Sequence, residues 1–346
     1  MTKSLKEISW DVSEETYRAD NALSYSTLAR YEREGFNNLD KLFDKISTPS
    51  LTFGSAIDSI ITGGQKEFDS RFIVADFPII SESIVSIVKA LFDLYCDIYT
   101  SLEAIPDNEI ITIANNFNYQ SNWKPETRAK VIKEKGAVYY TLLYLSQGKT
   151  ILDTNTYNEV QKAVTALKES DSTKEYFAEN NPFDNIERLY QLKFKHTFEG
   201  IEYRGMMDLI IVDHNNKKII PVDLKTSSKP EWDFYKSFIE WKYSIQAMLY
   251  WRLLRANMDE DDYFKNFKLC NYRFIVVNKK TLTPLVWEYT DTKAKGTLIY
   301  GDHLNIKVRD PFDIGKELHS YLTTNKNVPD GIVTSRPNNI IDWLNK

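Results

Sequence analysis

GMMDLIIVDHNNKKIIPVDLKTSS, residues 205–228, decides the fold. Two runs rich in Ile and Val, 207–212 and 218–224, flank His214, Asn215 and Asn216. Branched apolar side chains suit pleated backbone and Asn suits turns, so the segment reads as two strands joined by a tight polar turn. The first run carries Asp208, and the second ends in Asp223-Leu224-Lys225. Side chains alternate across a strand, so Asp223 and Lys225 leave one face and Leu224 the other, toward the core. Antiparallel pairing also brings Asp208 beside Asp223. Two carboxylates and an ammonium then share one small volume, which repels itself unless a cation sits between the acids.

Downstream, Tyr243, Gln246, Ala247 and Tyr250 recur at spacings of three and four, one face of a helix. Gln246 and Tyr250 project side by side from that face. Upstream, residues 189–198 alternate apolar and polar and read as a strand that turns at Glu199-Gly200. Residues 271–278 and 285–289 read as two further strands, and 291–321 has helical character. The tail after Asn325, with Pro329, Gly331 and Pro337, is expected to wrap the surface.

The ordered words G-x-x-D-L-I (Gly205, Asp208), V-D-L-K-T (Asp223, Lys225) and Y-x-x-Q-A-x-x-Y (Tyr243, Gln246, Tyr250) resemble the PD-(D/E)XK nuclease superfamily. Within it the likeness is to the RecB-type, exonuclease VIII-like phage exonuclease group. A lone D-x-K arises often by chance, whereas three words in order, each on its expected element, are specific. The resemblance implies a metal-dependent deoxyribonuclease, an exonuclease hydrolysing phosphodiester bonds in recombination, repair or phage DNA processing. It implies Mg²⁺ or Mn²⁺ held by Asp58, Asp208, Asp223 and the backbone carbonyl of Leu224. Lys225 would activate water and stabilise charge, with Gln246 and Tyr250 positioning it. DNA ends, single- or double-stranded, are the implied substrate, and a single-strand annealing recombination protein is a partner by family habit. Ser26, Arg204, Thr226, Lys229 and Tyr243 are candidates to touch DNA.

Two positions depart from the family pattern. Residues 53–61 carry small residues Gly54, Ser55 and Ala56 and an apolar stripe of Ile57, Ile60 and Ile61. The family phrase there reads G-x-x-x-H with a metal-binding His; here Asp58 stands in its place, and aspartate is also a hard oxygen ligand. On the first strand the family often has Glu, and here Gln191 lies nearest, with Glu187 four positions earlier. These substitutions support an alternative in another class, a catalytically weakened nuclease-fold module that binds nucleic acid.

From residue 81 to about 177 the pattern reads as mostly helical. Residues 23–31 look like a capped helix start, with Ser24 or Ser26 as cap. Ile84, Ile87, Val88, Leu91, Leu94 and Tyr95 mark one helix, a second follows Pro125, and a third covers 156–169. The basic residues Arg128, Lys130, Lys133 and Lys135 on the second are open to phosphate or to water. The expected organisation is one nuclease-like domain over 1–346, with 81–180 a helical elaboration. The expected class is α/β, a mixed central sheet flanked by helices as in a restriction-endonuclease-like core.

Composition sets outer limits. Hydrophobic residues make up 42% and charged residues 27%, ordinary for a globular chain. Net charge is −5, against an extended basic binding surface, but residues 188–229 hold eight Lys or Arg against five Asp or Glu. A cation on Asp208 and Asp223 would make that neighbourhood positive. Cys96 and Cys270 are too few for a disulfide framework or a four-thiolate iron–sulfur cluster. The opening MTKSLKEISWDV lacks an apolar run, and nothing approaches the roughly 20 apolar residues of a membrane span, so a cytoplasmic location is expected.

Overall fold

The computed structural model describes residues 2–35, 41–43, 48–76, 78–146, 148–181, 183–290, 296–300 and 304–324. The chain forms two compact units, Met1–Gly54 with Thr165–Lys346, and Ser55–Val164. In chain order the elements are α1 (Glu14–Ala19), α2 (Tyr25–Glu34), α3 (Pro49–Arg71), β1 (Phe72–Val74), α4 (Glu82–Tyr95), α5 (Asp107–Asn116), α6 (Pro125–Ser146), β2 (Thr150–Leu152) and α7 (Thr154–Glu169). Then come β3 (Ile186–Phe198), β4 (Ile201–Asp213), β5 (Lys218–Ser227), α8 (Phe234–Glu240), α9 (Tyr243–Asp259), β6 (Lys268–Leu269), β7 (Tyr272–Asn278), β8 (Leu285–Tyr289), β9 (Gly296–Tyr300), β10 (Leu304–Val308) and α10 (Pro311–Thr324).

The first unit is built on a sheet ordered β3-β4-β5-β7-β8, with β6 also beside β5. β3, β4 and β5 run antiparallel, β5 and β7 parallel, and β7 and β8 antiparallel. This is the mixed sheet flanked by helices that the sequence implies. The parallel step needs a crossover, and α8 and α9 supply it. α9 packs against β3, β4 and β7 on one side and against α2 and α10 on others. It is therefore buried round most of its circumference, from Ser244 to Trp251, rather than along one face. Its Ile245, Met248, Leu249 and Leu253 join Phe194, Tyr203, Met207 and Phe274 in the main core.

Residues 291–321 depart from the helical expectation. GTLIY and LNIKV pair as the antiparallel hairpin β9–β10, and only from Pro311 does the helix begin. Branched side chains on these short runs favour pleated backbone over a helix. α10 then opens with Pro at its first position, and Asp310 Oδ1 accepts from Phe312 N at 2.9 Å. The tail after Asn325 lies outside the described residues.

In the second unit, α4, α5 and α6 share a core of Ile84, Val88, Leu91, Ile110, Ala129, Ile132 and Tyr140. A short parallel pair, β1 with β2, accompanies it. Of the basic residues expected on the face of α6, Arg128 is instead buried and donates to Asn115 Oδ1 at 2.9 Å, while Lys133 pairs with Asp107 at 2.7 Å. Among the described residues no helix is long and apolar enough to cross a membrane.

The glycine of G-x-x-D-L-I has a packing reason. A Cβ at Gly205 would lie 2.7 Å from Tyr250 Cδ1 and 3.2 Å from Leu253 Cδ1, so only a bare backbone lets α9 approach β4 this closely. Gly205→Ala is expected to destabilise the fold by about 1–3 kcal/mol. Urea denaturation followed by tryptophan fluorescence measures this.

Candidate active site

The register of β4 with β5 runs from Asp213↔Lys218 to Leu209↔Val222 and stops there. One further step sets Asp208 against Asp223. Beyond this point β5 continues its ladder only with β7, from Val222↔Arg273 to Ser227↔Asn278. In the gap, the Asp208 carboxylate replaces a ladder partner: its Oδ2 accepts from Leu224 N at 2.9 Å. The carboxylate therefore fastens the two strands where their backbones stop bonding.

β3 and β4 also change phase here. Core-facing residues are Ile201, Tyr203 and Met207 on one side of Asp208, and Ile210 and Val212 on the other. β3 mirrors this, with Leu192 and Phe194 before the break and Leu189 after it. The ladder skips from Tyr190↔Leu209 to Leu192↔Met207, and Gln191, which lies between, has φ 55°. A non-glycine residue in the left-handed region inside a strand is uncommon and marks a shaped backbone. Asp208 keeps the phase of Ile210 and Val212, which the β4–β5 register shares with Asp223, and the break instead puts Met207 on that face as well.

Asp223 is 1% exposed. Gln246 Nε2 donates to its Oδ1, and Lys225 Nζ lies 2.6 Å from its Oδ2, in an ion pair without the alignment of a hydrogen bond. The sequence expectation had Leu224 as the core-facing residue; it is only half-buried. Both faces of the sheet are apolar, since buried Leu209, Ile211, Val222 and Ile275 alternate with the main core. α9 lies on the acidic face and brings Gln246 to Asp223, which makes the carboxylate the deeper group.

Tyrosines complete the enclosure. The Lys225 ammonium lies 4.6 Å from the centre of the Tyr243 ring. Tyr243 packs in turn on Tyr25, Phe234 and Phe274, and Tyr250 on Tyr272. Burial first, and then neighbouring phenols and acids, push Tyr25, Tyr250 and Tyr272 well above the ordinary phenol range. They remain protonated donors. For Lys225 burial works downward, but Asp223, Tyr243 and Asp208 outweigh it and hold the ammonium above the usual lysine range.

Of the residues singled out in the sequence, Asp208, Asp223, Lys225, Gln246 and Tyr243 come together, with Gln191 facing Asp208 across the β3–β4 pair and Tyr250 in the tyrosine wall. Others go elsewhere. Glu187 pairs with Val212 in the ladder, and its carboxylate meets His214 Nε2 at 3.2 Å, four positions along β4 from Asp208. Arg204 is buried, donates to the carbonyls of Ala22 and Tyr17 and stacks on the Tyr17 ring, so it has no reach toward DNA. Lys229 is tied to Glu240 at 2.7 Å. Ser26 is exposed beside the capping Ser24 at 2.9 Å, and Thr226 is half-buried against Gly54. Asp58 lies on α3 within the second unit, where its carbonyl accepts from Thr62 Oγ1 at 2.9 Å. The motif missed Tyr25 and Tyr272. Tyr272 stands two residues before Phe274 on the same strand face, a period-of-two signal available in the sequence.

The donor set suits a hard divalent cation. Asp223 Oδ2 and Gln246 Oε1 are buried oxygens with no hydrogen-bond partner, and a second carboxylate adjoins them. Among the described residues no group of three or more His, Cys, Asp or Glu is gathered to hold a metal.

No family model matches the chain, and no curated protein sequence matches it. Among solved structures it is similar to one described as "Putative exonuclease" from Eubacterium rectale, with a TM-score of 0.42 and 14% identity, over 82% of this chain and 79% of that chain.

Removing the ammonium leaves a buried carboxylate unmet. Lys225→Ala is expected to cost about 3 kcal/mol or more of stability, and Asp223→Asn added to it should restore part of that loss. Because the ammonium is held above its unfolded value, the pair's contribution is whole at neutral pH and fades only as strong alkali deprotonates Lys225. Urea unfolding of the single and double variants, repeated across pH, reads both effects.

Proposed function

We propose that the protein is a metal-dependent deoxyribonuclease of the PD-(D/E)XK type, an exonuclease acting on DNA ends. The observation that carries this reading is the convergence of Asp208, Asp223, Lys225 and Gln246 on one sheet face. Asp208, Asp223 and the carbonyl of Leu224 would hold Mg²⁺ or Mn²⁺. Bound there, the ion supplies a hydroxide at neutral pH and relieves charge on the scissile phosphate. Asp208 keeps β4 and β5 in place through Leu224 N. Gln246 fixes the orientation of Asp223. Lys225, an ammonium at neutral pH, meets the negative charge that builds on the phosphate and orients the attacking water. Recombination, repair or phage DNA processing, with an annealing protein as partner, is the proposed setting, and residues 81–180 are the proposed helical elaboration of the nuclease core.

A weakened binding module is the second reading. It is favoured by Gln191 standing opposite Asp208 where an acid would complete the set, and by the depth of Asp223. One assay separates the two. Linear DNA with Mg²⁺ or Mn²⁺ should release mononucleotides, circular DNA should survive, and Asp223→Ala and Lys225→Ala should each reduce release by about a hundredfold or more. Metal-independent binding without cleavage by the wild type would establish the module instead.

A further inference from the structure

Next to the acid pair stands an exposed indole that neither the acid pair nor the core requires. Trp241, between α8 and α9, is 44% exposed. Its backbone is fixed from two sides: its N–H donates to Ser237 O at 2.9 Å, and its carbonyl accepts from Tyr25 Oη at 2.7 Å. The Arg33 guanidinium lies over its ring, 5.1 Å from the centre, while the residue as a whole keeps its exposure. Among the described residues neither Arg33 nor Lys242 has a carboxylate partner. Lys242 is set in a left-handed turn (φ 58°) directly after Trp241. The next residue is Tyr243, on whose ring Lys225 rests at 4.6 Å. Tyr25, which holds the Trp241 carbonyl, also borders Tyr243 in the wall of the acid pair.

An exposed indole on a fixed backbone, beside two cations with no carboxylate partner among the described residues, has the chemistry that takes a strand with unpaired bases. Stacking needs a base out of its duplex, and the cations track the backbone whatever the sequence. We infer that Trp241, Arg33 and Lys242 form a subsite for one nucleotide of a single strand, its base on the indole and its phosphate on the two cations. This rests on the nuclease reading and narrows its substrate to single-stranded DNA or a frayed end.

Fluorescence anisotropy with the full chain in EDTA, so that nothing is cut, tests it with a labelled short oligothymidylate, an abasic oligomer of equal length and a blunt duplex. Trp241→Ala should weaken oligothymidylate binding about tenfold while leaving the abasic oligomer and the duplex as in wild type, and Trp241→Phe should retain most of the affinity. Arg33→Ala and Lys242→Ala should weaken both single-stranded oligomers and reduce the salt dependence. The inference is overturned if Trp241→Ala binds oligothymidylate as wild type does, or if it loses both single-stranded oligomers equally. Wild type that binds no oligomer would sink this inference and the nuclease reading together. Cleavage untouched in Asp223→Ala, with the Trp241 effect intact, would sink the nuclease reading alone.

Discussion

A carboxylate taken almost wholly out of water must be met by charge and hydrogen bonds, and Asp223 is such a group. Removing an ion from water costs several kcal/mol even after the protein relaxes, and one good ion pair offsets that only in part. The surroundings of Asp223 are arranged accordingly. Lys225 supplies the opposite charge, and its own ring contact with Tyr243 shields it from water. Gln246 supplies a donor from α9. The polar residue in the first turn of α9, flanked by Ile245, Met248 and Leu249, follows from this need. An apolar side chain at 246 would pack as well and leave Oδ1 orphaned.

The backbone beneath is shaped to the same end. The β4–β5 register, carried one step past Leu209↔Val222, sets Asp208 against Asp223 on one face. The left-handed Gln191 and the paired phase change in β3 and β4 let Met207, beside Asp208, face the core as well. Gly205, a turn of the pleat earlier, lets Tyr250 and Leu253 press onto β4, so α9 sits low enough for Gln246 to reach Asp223. The strand geometry, the missing Cβ and the buried amide are thus three parts of one solution to burying a charge.

Much of this was legible in the chain. The Ile/Val runs around Asp208 and Asp223 and the spacing from Gln246 to Tyr250 depend on local periodicity, and local periodicity survives folding. Arg204 and Glu187 were misplaced because sequence records charge but not depth: Arg204 is consumed by carbonyls of the N-terminal segment, Glu187 by His214. Those partners lie far off in sequence and only tertiary packing selects them. The helix expected over 291–321 failed for a related reason. Two short branched runs in succession carry a strand signal that a window spanning both averages away. The change of phase at Gln191 had no signal beyond an interrupted alternation, because a single left-handed residue leaves composition unchanged.

The end of β5 is where stability and chemistry meet. The strand leaves the sheet after Ser227, and a loose end there would let Lys225 wander from Asp223. It is pinned by Asn278, whose Nδ2 donates to Ser227 O at 2.8 Å and to Lys229 O at 3.1 Å. Asn278 N donates to the fully buried Glu231 carboxylate at 3.0 Å, which Thr283 N also meets at 3.0 Å and the Thr281 hydroxyl joins. Trp287 Nε1 closes the knot on the Glu231 carbonyl at 3.0 Å. A carboxylate with this many donors is satisfied without any cation, unlike Asp223, whose Oδ2 has only the ammonium. The two buried acids on either side of the same loop therefore have different characters: Glu231 is closed by several donors and holds the loop, while Asp223 Oδ2 is met by the Lys225 ammonium.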